Sequence, residues 1–445
     1  NGFWSTAGFS KTVYDGANEG MSFDITSPAT TWYPAAGHLT NHGDPSFMNG
    51  NAYYWSVAIA GEYAYSLYFH SGGGVNSMFP AYRSCAFSVR CQKEGTGGGP
   101  QYDNDFSTSG ATHLSTAGTA NSYIVSGAGT YSIAAVMGNS SESVGSVESA
   151  VVLWESFGTD ERVTKGDLVA GAKYEDGLIY FKTADWFREG NAVIAAKDAS
   201  GTILWSWHIW LTDQPEEQVY YNNAGTMMDR NLGATSATPG DVSALGLLYQ
   251  WGRKDPFLGS ASISSQVDAQ STITWPSAVS SDSSTGTVDF VTSHPTTFVT
   301  GGSSSSNDWH YSSRDNTLWT TSEISKSIYD PCPSGWRVPD GGENGIWNVA
   351  DFSDTPSDRV NYGKSFNIST PSTTWYPASG YREYSNQLSD VGDSGRYWSV
   401  TPVESSSQSK NKAYDLYFLY YSDFVDPVDD FPIRINALSV RCQKE

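Results

Sequence analysis

Two stretches of this 445-residue chain are copies of one another. Ser22-Phe23-Asp24-Ile25 returns as Ser365-Phe366-Asn367-Ile368. Thr30-Thr31-Trp32-Tyr33-Pro34-Ala35 returns as Thr373-Thr374-Trp375-Tyr376-Pro377-Ala378, and Tyr54-Trp55-Ser56-Val57 as Tyr397-Trp398-Ser399-Val400. Both copies close on Ser-Val-Arg-Cys-Gln-Lys-Glu. The offset is 375 − 32 = 343 at the tryptophans and 442 − 91 = 351 at the closing cysteines. Solenoid repeats recur every 20–50 residues or so, hence this period is the duplication of a whole domain. The first copy is incomplete. Asn1-Gly2-Phe3-Trp4 aligns with Asn344-Gly345-Ile346-Trp347, so the residues upstream of Asn344 lack a counterpart and the chain is expected to start in mid-domain.

A chain this long exceeds one ordinary core and reads as two to four domains. Its net charge is −22, with only 25 Lys plus Arg, which disfavours nucleic acid and anionic membrane surfaces, since both demand clustered cations. No apolar run reaches the length of a membrane span. Sixteen Trp, 27 Tyr and 44 Gly beside only 16% charged residues give the profile of a β-rich extracellular protein.

Residues 1–94 form the truncated copy, and the glycines from Gly95 predict a flexible linker over 95–118. From 119 to 214 the pattern becomes short alternating strands, with hairpin turns at Glu175-Asp176-Gly177 and Asp198-Ala199-Ser200-Gly201. In the last strand Leu204, Ser206, His208 and Trp210 face one way and Trp205, Trp207, Ile209 and Leu211 the other. Six or seven such strands argue an immunoglobulin-like β-sandwich. Residues 215–445 form the complete copy, with a short amphipathic helix expected over 241–251, another around 343–352, and a surface insertion over 260–306. Cys332 and Cys442 stand near the start and at the end of this copy, placed to close a long loop. Cys91 is the counterpart of Cys442, and Cys85 has no evident partner.

Five motifs occur in order: Met228 to Ala234 (MDRNLGA), Tyr249-Gln250-Trp251-Gly252-Arg253, Cys332 to Pro339 (CPSGWRVP), Tyr397-Trp398-Ser399, and Ser439-Val440-Arg441-Cys442. Together they resemble the Fibrobacter succinogenes major paralogous domain, a C-type-lectin-like module of Bacteroidota surface proteins. The segment 119–214, with Ala120 to Val125, is similar to the β-sandwich of fimbrillin-type and adhesin-like proteins. The resemblance implies a mainly β chain with minor α, in which C-type-lectin-like α+β modules flank an immunoglobulin-like sandwich. It implies a structural disulfide Cys332–Cys442. It implies a cell-surface or pilus-associated protein and no enzyme, although formylglycine-generating enzymes share the broader fold.

Other motifs have plain readings. Gly392-Asp393-Ser394-Gly395 spells a serine-protease nucleophile loop, but no histidine segment of that family accompanies it, and it reads as an ordinary loop. The acids Asp415, Asp423, Asp426, Asp429 and Asp430 read as a solvated loop, with a calcium site at Asp423, Asp426, Asp429 and Asp430 as the alternative. His38 and His42 lie among turn residues without a third ligand, and Glu216-Glu217 lacks a matched partner for glycosidase work. The repeated Trp-Tyr-Pro and Tyr-Trp-Ser segments read as core before they read as sugar platforms. The leading expectation is a non-catalytic repeat unit of a bacterial fibre, pilus or stalked adhesin, whose partner is itself, in a tandem array or homopolymer. A lectin-like receptor for host or dietary glycans is the alternative. An oxidase like the formylglycine generators, using Cys85, or a hydrolase, ranks third.

Overall fold

The computed structural model describes residues 14–15, 17–24, 30–48, 50–60, 63–90, 101–301, 308–311, 315–321, 325–353, 357–358, 361–403 and 411–445. Cys91 and the Asn1–Trp4 match lie outside them. The described chain is mainly β. Its α-helices are two short ones, Val288–Ser293 and Ile346–Val349. None is long and apolar enough to cross a membrane. Two compact units emerge, Asn1–Gly99 and Pro100–Glu445.

The first unit holds two three-stranded antiparallel sheets. One joins Tyr14–Asp15, Gly20–Asp24 and Thr30–Pro34; the other joins Asn51–Ala60, Tyr63–His70 and Val75–Tyr82. Strand side chains alternate between faces. Accordingly Ala52 and Tyr54 point with Leu67 and Phe69 into a core that also takes Met21, Phe23, Tyr33 and Ala35.

The second unit repeats this construction. Gly20 pairs with Pro34 and Met21 with Tyr33; Gly363 pairs with Pro377 and Lys364 with Tyr376. The Tyr54 hydroxyl donates to the Pro34 carbonyl at 2.8 Å, and the Tyr397 hydroxyl to that of Pro377 at 2.7 Å. Phe23 meets Tyr33 edge-on at 5.4 Å, and Phe366 meets Tyr376 at 5.5 Å. Even the left-handed residues coincide: Glu19 and Tyr362 have φ of 54° and 53°. A Cβ on Gly20 would lie 2.4 Å from the Trp32 ring, and one on Gly363 would meet Trp375, so both copies need glycine there.

Between the copies, two four-stranded sheets pack face to face. One runs in the order Ser122–Val125, Ile203–Leu211, Gly190–Lys197, Ser149–Ser156; the other runs Val169–Glu175, Leu178–Thr183, Thr130–Ala134, Thr112–His113. Asp176 and Gly177 both have positive φ in a two-residue hairpin loop, which suits the strand twist. Trp205, Trp207, Ile209 and Leu211 point between the sheets. The opposite face of the same strand is not solvated. Trp210 joins Trp154 and Val193 in a core shared with Leu232, Tyr249, Trp251 and Trp398. A strand buried on both faces welds residues 119–214 to 215–445, and this makes Pro100–Glu445 one compact unit.

Four sequence expectations change. The linker predicted over 95–118 is, from residue 101, packed chain: Asp103 N–H donates to the Ala170 carbonyl, Asn104 accepts from Ala172 N–H, and Thr112–His113 joins a sheet. Over 241–251 the helix reduces to a single 3₁₀ turn, Val242–Ala244, capped by Asp241. Gly246, with φ of 74°, ends it, and Leu248–Gln250 becomes a strand on Ala437–Ser439. Around 343–352 helix covers only Ile346–Val349. The insertion over 260–306 is not a loose surface loop where it is described, because Ala269, Val291, Phe298 and Val299 are buried in the cores. Its Ser/Thr content masks four apolar anchors spaced too irregularly to register as a period.

Candidate functional site

Cys332 and Cys442 form a disulfide, with S–S 2.10 Å and Cα–Cα 6.0 Å, and both are fully buried. Asp330 anchors its amino-terminal end, accepting from Cys332 N–H at 2.8 Å and from Val338 N–H at 2.9 Å. Burial pushes the Asp330 carboxyl up to about 6. Lys326 caps the turn by donating to the carbonyls of Cys332, Pro333 and Trp336. Asn121, from the sandwich, donates to the carbonyls of Ile328 and Asp330, which ties the two regions at the disulfide.

The acidic run divides into inward and outward residues. Asp415 is fully buried, and its carboxyl is raised well above the ordinary range by that burial. Arg396 pairs with Asp415 at 3.0 Å and with Asp429 at 2.9 Å. Asp426 accepts from the Val428 amide, and Asp423 and Asp430 are exposed. Among the described residues, no group of three or more His, Cys, Asp or Glu stands in metal-holding proximity. Sequence spacing gave no hint of Arg396, because the pairing crosses three strands.

The repeated aromatics of the complete copy are core: Tyr376, Tyr397 and Trp398 are fully buried. Ser394 is buried at the start of its strand, so the loop that spells a protease nucleophile presents no accessible hydroxyl. His38 packs on the rings of Phe47, Tyr53 and Phe87, and His42 is exposed on a turn. Glu217 pairs with Lys444. Cys85 is a half-buried free thiol.

One polar constellation was invisible in the sequence. His208 Nδ1 lies 2.9 Å from the Ser122 hydroxyl, and its Nε2 lies 2.9 Å from Asn191 Oδ1. Asn191 in turn donates to the Gly233 carbonyl. The connectivity is that of a nucleophilic triad, yet all three side chains are shielded from solvent. Burial holds the imidazole down to about 3, so it is neutral. Its role is to satisfy polar groups where the sandwich meets the C-terminal copy.

A cavity of about 130 Å³ opens in the second unit, lined in part by Phe257, Trp275, Phe298, Asp268 and Arg382. Arg382 pairs with Asp268 and donates to the carbonyls of Leu258 and Asn386, while its Nε is buried without a partner. An aromatic wall beside a guanidinium–carboxylate pair suits a sugar hydroxyl or a small anion. The volume falls below the roughly 300 Å³ at which pockets begin to enclose whole small ligands. No family model, no curated protein and no solved structure matches this chain.

Proposed function

We propose that this chain is a non-catalytic, extracellular structural or adhesive protein: a repeat unit of a bacterial surface fibre, pilus or stalked adhesin. In this reading the two copies are C-type-lectin-like modules of the Bacteroidota type and the intervening sandwich is immunoglobulin-like. One observation carries it. Most side chains of the five motifs on which the family resemblance rests point inward: Asp229 to Leu232, Tyr249 to Trp251, Cys332, Trp336, Tyr397, Trp398, and Ser439 to Cys442 are buried, while Ser334 and Arg337 are half-buried and engage the Ala117 carbonyl and Asp340. Motifs used chiefly for packing suit a scaffold, because a binding or catalytic motif turns its functional atoms toward a cleft. The disulfide fits an oxidising compartment.

The cavity beside Trp275 and Arg382 favours a second reading, a glycan-binding receptor. Negative-stain electron microscopy of the native material separates the two. Filaments or strung beads are expected. Single particles that bind a glycan array, with binding lost on chelation of calcium, would replace the fibre reading by the lectin one.

A further inference from the structure

The cavity walled by Phe257, Trp275 and Phe298 carries a buried donor that the protein itself leaves unused. Arg382 is only 7% exposed, and its two terminal nitrogens are engaged. One donates to the Asn386 carbonyl at 2.7 Å, the other to the Leu258 carbonyl at 2.9 Å and to Asp268. The Nε–H has no partner among the described residues, and Arg382 lines the cavity. A buried donor without an acceptor is unfavourable, so a ligand that brings one gains by it. The strand itself does not demand arginine. In the first unit Leu39 holds the same place, opposite Ala86 and Pro45 as Arg382 is opposite Ala437 and Leu388.

Charge narrows the ligand. The Asp268 side chain is 64% exposed, reachable from solvent, and it neutralises Arg382. Bidentate capture of a carboxylate or phosphate needs two adjacent N–H groups of the guanidinium fork. Here the terminal nitrogens are already engaged by Leu258, Asn386 and Asp268. What remains is one donor, Arg382 Nε–H, beside one acceptor, Asp268 Oδ2, which takes no hydrogen bond among the described residues. That pair matches two neighbouring hydroxyls, because a hydroxyl can either accept or donate. The walls match the remainder of such a molecule. Trp275 is half-buried and already satisfies its indole nitrogen on Ser271 at 3.0 Å, and Phe257 and Phe298 stand edge to face at 5.1 Å. These rings offer carbon surface to the C–H face of a pyranose. At about 130 Å³ the cavity takes the end of a ligand and not the whole.

We propose that this cavity binds the terminal residue of a neutral glycan, a pyranose whose vicinal hydroxyls bridge Arg382 and Asp268 while its C–H face lies against Trp275. One hydroxyl accepts from Arg382 Nε–H, and its neighbour donates to Asp268 Oδ2. Recognition of this kind uses no cation, since donor and acceptor are both side-chain groups. The assignment names the ligand class for the glycan-receptor reading and rests on that reading.

The test titrates the full 445-residue chain, in EDTA, with the methyl glycosides of glucose, galactose and mannose, read by saturation-transfer NMR. At least one should bind with a dissociation constant of about 1 mM, as suits a ligand of that size. Methyl glucuronide should bind at least about tenfold more weakly than methyl glucoside, because its carboxylate meets Asp268. Two variants locate the site. Thr296→Trp fills the cavity from a half-buried wall position, and Arg382→Lys keeps a cation for Asp268 but removes the Nε–H. Each should weaken binding at least about tenfold. If Arg382→Lys does not fold, Thr296→Trp decides alone, with an unchanged melting temperature as its control. Absence of binding at about 30 mM overturns the proposal. So does binding unmoved by Thr296→Trp, or binding seen only when EDTA is left out. Preference for N-acetyl-leucine amide over every hexoside would overturn it too, by making the cavity a peptide pocket. Glycan-array binding that Thr296→Trp leaves intact would remove this site and keep the receptor reading; binding to no glycan at all would remove both.

Discussion

Tyr53 and Arg396 occupy the same place in the two copies and solve the same packing problem with opposite chemistry. Tyr53 stacks near Tyr68 at 4.8 Å and Phe87 at 4.7 Å, with Phe79 beyond. Arg396 lies 3.8 Å over the Tyr417 ring, the equivalent of Tyr68, and binds Asp415 and Asp429, which replace Ser66 and Phe79. The strand pairing is the same: Trp55 opposes Ser66 and Ser66 opposes Phe79, just as Trp398 opposes Asp415 and Asp415 opposes Asp429. Register is therefore set by the other face, where Phe23, Tyr33, Tyr54 and Phe69 match Phe366, Tyr376, Tyr397 and Phe418. The acids that suggest calcium in the sequence are, at Asp415 and Asp429, half of this local exchange.

The Cys332–Cys442 pin lies within the second unit, so removing it should separate the two units most. Cys442→Ser opens a closure spanning 110 residues and should lower the stability of the Pro100–Glu445 unit by about 5 kcal/mol, read from urea unfolding. The first unit should unfold where it did before. A second variant probes the exchange itself. Arg396→Met leaves two neighbouring buried carboxylates uncompensated and should cost about 3 kcal/mol. Adding Tyr at 396, Ser at 415 and Phe at 429 together imports the first copy's solution and should bring stability back to within about 1 kcal/mol of the parent. A triple variant as unstable as Arg396→Met would mean that the two faces are not independent.

The smallest effect is in pH. His208 has its folded pKa lowered to about 3 from 6.5, so the unfolded chain binds the proton first. Stability from the neutral ring is present above pH 6.5 and is lost on acidification, at up to about 1.4 kcal/mol per pH unit. Asp330 acts in the opposite sense. Its folded pKa, raised to about 6 from 3.8, makes the native state take up the proton first, so its contribution improves as pH falls through 6. His208→Gln should therefore shift the slope of melting temperature against pH between about 6 and 4.5 toward greater stability on the acid side, where the raised carboxyls of Asp330 and Asp415 are left unopposed by the imidazole. An unchanged slope would show that His208 is not the titrating group. Among the described residues the first unit has no counterpart of this network, and it serves as the internal reference.

Much of the architecture was legible from residues alone, and its limits have a common cause. The duplication, the alternation of Ile203–Leu211 and the turns at Asp176-Gly177 and Gly201 are local patterns, and the strands follow them. The helix expected over 241–251 failed because its apolar residues suit either period, and a strand edge at Ala437–Ser439 was waiting to be paired. The Arg396 cluster, the His208 network and the Arg382–Asp268 pair join residues 17 to 114 positions apart, and no spacing signals them.

The amino-acid sequence by itself determined that one scaffold is built twice, because register follows from the alternation of aromatic and small residues within each short strand. Only the tertiary structure decided that the strand Ile203–Leu211 is buried on both faces and that most motif residues turn inward. Those facts depend on which surfaces meet across more than a hundred residues of chain, and the free energy of burial is scored between surfaces, not along the sequence.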